Sequence, residues 1–160
     1  MEEIVARAVQ DEYADEFSWC YGCGRLNTHG HHFRTGWQGE KTVTYYTPEP
    51  EHTAVPGYVY GGLIASLIDC HSTGSASLAL HRKNGRRLGD GSEPPRFVTA
   101  SLKVDFLKPT PMGVPLKAVG TAEEIHPKKW KVLTELYAGE MLCAKGEVIA
   151  VIMPESWRKK

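Results

Sequence analysis

The 160-residue chain carries no net charge, with 19 lysines and arginines against 19 aspartates and glutamates. A surface dedicated to nucleic acid or anionic membranes is usually basic overall, so those classes are disfavoured. No apolar run approaches the roughly 20 residues that a membrane span needs. The start, Met1-Glu2-Glu3-Ile4, lacks the basic-then-apolar order of a secretory leader, and a cytoplasmic protein is expected. Cysteine is scarce: Cys20, Cys23, Cys70 and Cys143. A chain this long can bury a core without disulfides, so reduced thiols are expected, with Cys70 and Cys143 as small core residues. Internal repeats and low-complexity tracts are absent, and residues 1–160 are read as one domain.

The apolar pattern predicts an α+β fold. Ile4, Val5, Ala8, Val9 and Tyr13 have near-helical spacing and suggest a short helix over residues 3–17. A Cys- and Gly-rich loop follows, to about residue 30. Strands are expected at 32–38 and 42–47, joined by the Gly39-Glu40 turn. Leu63, Ile64, Leu67 and Ile68 mark a long helix over about 61–80. Residues 81–95 read as a long polar loop. Four strands complete the chain, at 97–107, 115–125, 129–137 and 141–152. The first alternates cleanly: Val98, Ala100, Leu102, Val104 and Phe106 against Thr99, Ser101, Lys103 and Asp105. Strands on either side of one apolar helix suit an antiparallel sheet curled around it.

Chemistry concentrates in that helix. Pro56-Gly57-Tyr58-Val59-Tyr60-Gly61-Gly62 opens into small and apolar residues that contain a single carboxylate, Asp69. An unpaired buried carboxylate costs several kcal/mol or takes up a proton. Asp69 therefore either faces solvent or is held in place for a reaction. The paired glycines add bare N–H groups at a helix start, where the dipole favours negative charge. A positioned carboxylate and a helix N-terminus suit hydrolysis or acyl transfer.

These pieces together resemble the hotdog-fold thioesterases, in particular the phenylacetate-operon type and its acyl-CoA thioesterase relatives. The resemblance is carried by Cys20-Tyr21-Gly22-Cys23-Gly24 with Asn27, by Pro56-Gly57 leading to Gly61-Gly62 and Asp69, and by Thr99 to Pro109 with Gly113. It implies a long sheet wrapped around the helix, a homodimer or dimer of dimers, and active sites at the subunit interface. It implies hydrolysis of an acyl-CoA, with Asp69 as base or nucleophile and Gly61 N–H as oxyanion donor. Tyr60, Gly62 and Thr99 would shape the substrate site, Thr99 coming from the partner subunit. Eight residues separate Gly61 from Asp69, a little over two turns, so both can lie on one helix face and meet one carbonyl. The family's usual His-Gly-Gly is Tyr60-Gly61-Gly62 here, and a usual Asn is Ala54. Those departures keep a second reading in view, a non-catalytic acyl-CoA-binding protein.

Arg82, Lys83, Lys108 and Lys128 are candidates for the phosphates of coenzyme A, which enters as part of the substrate. His71 lies about 200° around the helix from Asp69 and is read as a core or interface residue. Cys20 and Cys23, followed by His29, His31 and His32, invite a zinc reading. A second cysteine pair is missing, so no metal and no other cofactor is expected.

Overall fold

The structure, a computed structural model, describes residues 5–158. Six strands form one antiparallel sheet: β1 (Thr35–Gln38), β2 (Lys41–Tyr46), β3 (Phe97–Phe106), β4 (Leu116–His126), β5 (Lys129–Ala138) and β6 (Met141–Ile152). One long helix, α1 (Gly61–Lys83), lies between β2 and β3 in the chain. The spatial order is β1-β2-β4-β5-β6-β3, and the sheet curls around α1. This is the hotdog arrangement, and the boundaries expected for its last four strands hold to within about a residue.

The helix is enclosed along most of its length. Leu63, Ile64, Leu67 and Ile68 are buried against Phe97, Leu116, Val132, Leu136 and Val148 of the sheet. Each such aliphatic side chain contributes about 1.5–3 kcal/mol by leaving water. The sheet comes unusually close where its own residues are glycine. A Cβ on Gly146 would lie 2.3 Å from Ile68, and one on Gly120 would lie 2.6 Å from His71 Nε2.

The Ser- and Thr-rich middle of α1 is held by side-chain hydrogen bonds to the first hairpin. Gln10 Nε2 donates to Thr35 Oγ1 (3.1 Å), Thr35 and Thr44 hydroxyls pair at 2.9 Å, and Thr44 Oγ1 pairs with His71 Nδ1 at 2.8 Å. Ser75 joins Thr42 at 2.6 Å. All of these groups are buried, so the partners offset the cost of removing each hydroxyl from water.

The expected N-terminal helix is replaced, among the described residues, by two 3-10 turns, Val9–Asp11 and Asp15–Phe17; residues 3 and 4 lie outside the described residues. Ala8 is extended, and the chain before it runs against Gly36, where a Cβ would meet Val5 and the Arg7 carbonyl. Gln10 spends both ends of its amide on Thr35. Tertiary contacts thus override a weak helical periodicity. The polar loop after α1 is also shorter than expected, because His81, Arg82 and Lys83 continue the helix. Cationic side chains in a last helical turn complement the dipole.

Burial lowers the His71 pKa to about 3, so the ring is neutral in the native protein. An unfolded histidine titrates near 6.5. The native state resists a proton that the unfolded state accepts, so stability is full above that value and is lost as pH falls through it towards 3. Between pH 7.5 and 5 the loss is expected to be about 2 kcal/mol. Urea unfolding at the two pH values checks this, because the His71→Gln variant should lack that component of the difference.

Candidate active site

Tyr60 occupies the N-cap of α1 in an extended conformation (φ −58°, ψ 129°), with no side-chain cap. Gly61 and Gly62 are therefore the first two helical residues. Neither N–H finds an acceptor among the described residues, as expected for the first turn of a helix. The Tyr60 ring folds back over Gly62, where a Cβ would fall 2.2 Å from it. On the other side, Phe106 lies 3.5 Å from the Cβ position of Gly61.

Two depressions flank this helix start. The one beside Gly61, about 580 Å³, is apolar and includes Val55, Tyr58, Val59, Ile64, Phe106 and Leu107, with Lys108 also lining it. The one beside Gly62, about 650 Å³, is polar and aromatic, with Tyr21, His31, Tyr46, His52 and Tyr60. Ala54 also lines the apolar depression.

Asp69 lies two turns further along α1, half-buried. It makes no ion pair among the described residues. Its Oδ1 accepts a hydrogen bond from Thr99 Oγ1 on β3. Burial pushes the Asp69 pKa up, partly opposed by the Thr99 hydrogen bond. A carboxylate with a raised pKa and no cation bound to it is a better base at neutral pH than an exposed one.

Thr99 reaches Asp69 within the same chain, where the resemblance implied a hydroxyl from the partner subunit. The local cause is a bulge. Thr99 pairs with Ala150 and Ser101 with Ile149, so Ala100 is extra and the regular alternation of β3 is broken there. A bulge bends a strand and re-aims its side chains.

The separation of Gly61 and Asp69 bears on how the two could share one carbonyl. Eight residues of α-helix place Gly61 and Asp69 about 12 Å apart along the axis and about 80° apart around it. Within one chain that separation is long for two groups that must act on one thioester carbonyl, since each contact in the chain from donor to carbonyl to water to base spans only about 3 Å. The four basic residues are not gathered either. Arg82 stacks over Trp37 at 3.4 Å and faces Glu40, while Lys83 binds both oxygens of Glu124 at 2.8 and 2.7 Å, all at the far end of α1 from Gly61. Lys128 sits in the β4–β5 turn, its carbonyl accepting from Ile152 N–H. Lys108 alone adjoins Gly61.

The sequence profile of the thioesterase superfamily matches residues 56–145, a stretch that holds Gly61, Gly62, Asp69 and Thr99. The chain belongs to the thioesterase superfamily. A thioesterase superfamily protein from Shewanella loihica, solved as a crystal structure, is 47% identical; the match covers 88% of this chain and 98% of that one, with a TM-score of 0.66. The PaaI protein of E. coli, from the phenylacetic acid degradation operon, shares the fold at 14% identity and a TM-score of 0.60, over 78% of this chain and 81% of its own. A thioesterase from Haemophilus influenzae does so at 14% identity and a TM-score of 0.63, over 82% and 85%. Among curated proteins none matches. Membership in the thioesterase superfamily supports thioester hydrolysis as the general reaction class. No helix among the described residues is long and apolar enough to cross a membrane.

Proposed function

We propose that the protein hydrolyses an acyl-CoA thioester, with Asp69 as the general base. The observation that carries this is a half-buried carboxylate with no ion pair, bonded through one oxygen to Thr99 and with its other oxygen unengaged among the described residues. That second oxygen can take a proton from water as the water attacks the thioester carbon. The thiolate leaves readily and recovers a proton, so one base and one oxyanion donor suffice.

The oxyanion donor in this reading is Gly61 N–H of a second copy. β3 is an edge strand ten residues long, and its side chains from Thr99 to Lys103 are exposed. Leu102, Phe106 and Leu107 along or beside it, and Tyr60 and Val55 near the helix start, are large apolar groups facing outward. A long edge with apolar side chains calls for a cover, and antiparallel pairing with the same strand of a second chain provides one. The apolar depression beside Gly61 has a volume suited to an acyl group, and Lys108 adds a cation for the phosphates of coenzyme A.

A panel of acyl-CoAs of different length and aromatic character, read by free thiol release, tests the reading. Multiple turnover on at least one member is expected. Tight binding across the panel with no thiol released would replace it with the non-catalytic acyl-CoA-binding protein.

A further inference from the structure

The sequence holds one cysteine pair, and α1 supplies a third sulfur to it. The loop residues Cys20 and Cys23 and the helix residue Cys70 place their Sγ atoms within 4.8 Å of one another, with Cys20 and Cys70 at 3.9 Å. Cys23 and Cys70 are buried and Cys20 is half-buried. The loop backbone is pressed onto the cluster: a Cβ on Gly22 would lie 2.3 Å from Cys70 Sγ. Cys143, by contrast, lies elsewhere in the core and bonds the Met141 carbonyl.

We propose that Cys20, Cys23 and Cys70 form a three-thiolate site for one zinc ion. Zinc–sulfur bonds of about 2.3 Å put two sulfurs of one tetrahedral ion roughly 3.8 Å apart, close to the Cys20–Cys70 separation. Cys-x-x-Cys plus a cysteine from another element is a donor set that selects thiophilic cations. Histidines 29, 31 and 32 do not join it: His31 stacks on Phe33 at 5.0 Å, and His32 Nε2 contacts the Asn27 carbonyl at 2.6 Å. No fourth ligating side chain completes the set among the described residues, so a solvent or small-molecule ligand takes the last position.

A second observation concerns charge. The half-buried Arg96 guanidinium stacks over Tyr13 and donates to the Phe97 carbonyl, but has no carboxylate partner among the described residues. Arg96 lies within electrostatic reach of the three cysteines and of Asp69. Three thiolates and Zn²⁺ sum to one negative charge, which this single cation balances. Binding releases three thiol protons to solvent as three Zn–S bonds form. The ion would tie the loop carrying Tyr21 to α1 at the residue after Asp69, which makes it a clamp on the site rather than a participant in hydrolysis.

The test uses the full chain, purified under reductant without chelator after growth with zinc. One zinc per chain is expected by elemental analysis. Replacement with Co²⁺ should give thiolate-to-cobalt charge-transfer absorption in the near ultraviolet. Cys20→Ser and Cys70→Ser should each lose the zinc and the absorption, while Cys143→Ser keeps both. Chelator-stripped wild-type protein should regain the zinc stoichiometrically, a measurement that needs no substitution to fold. Sub-stoichiometric zinc in folded, reduced wild-type protein would overturn the proposal. So would a charge-transfer band that survives Cys70→Ser, or a disulfide among the three cysteines in the purified protein. None of these readouts depends on turnover, so they stand or fall apart from the acyl-CoA reading.

Discussion

Replacing Asp69 with asparagine is expected to lower thioester turnover about 10²–10⁴-fold, the usual contribution of a general base. The substitution keeps the shape of the side chain, and Thr99 Oγ1 can still donate to the amide oxygen as it does to Oδ1. It breaks no ion pair among the described residues and removes a charge whose burial is already unfavourable. The Asp69→Asn protein should therefore melt at or slightly above the wild-type temperature while releasing almost no thiol. The comparison needs only a thiol-release assay and a thermal melt. A variant that hydrolyses near the wild-type rate would remove Asp69 from the chemistry.

The second large effect concerns Gly61. Proline at this position deletes the N–H, and the backbone accepts it. Gly61 is the first residue of the helix, where proline fits best, and Tyr60 already has the extended geometry that a following proline requires. Gly61→Pro should fold and lose about 10²–10³-fold in turnover, the cost of one oxyanion donor. Mixing it with Asp69→Asn then reports where the two groups meet. If each site takes Gly61 from one chain and Asp69 from the other, a mixed dimer has one intact site. A refolded equal mixture should then recover about a quarter of wild-type activity by statistical pairing of a two-fold dimer. If each site lies within one chain, every site in the mixture lacks one group and activity stays at the level of the separate variants. The 12 Å that eight helical residues span favours the first outcome.

Much of this architecture was legible in the residues. The four C-terminal strands were legible to within about a residue, the first of them by its two-residue alternation. The apolar stripe of Leu63, Ile64, Leu67 and Ile68 marked α1, and the lone carboxylate on it marked Asp69 as the candidate base. The N-terminal helix was misread because periodicity over residues 3–17 is short, and the side chain of Gln10 is engaged by a strand 25 residues away. The apparent regularity of β3 concealed the bulge that turns Thr99 towards Asp69, since a bulge depends on pairing with β6. The buried Gln10-Thr35-Thr44-His71 chain had no sequence signal either. Its members are ordinary polar residues until the fold brings them together.

The sequence by itself determined that a sheet would wrap one helix bearing a carboxylate and an open glycine start, because side-chain periodicity and helix geometry are local properties. Only the tertiary structure decided which groups meet: Thr99 with Asp69 in one chain, and Cys70 beside Cys20 and Cys23. Contacts between residues 30 to 50 positions apart are set by strand register and by the packing of helix on sheet, neither of which is encoded in any local pattern.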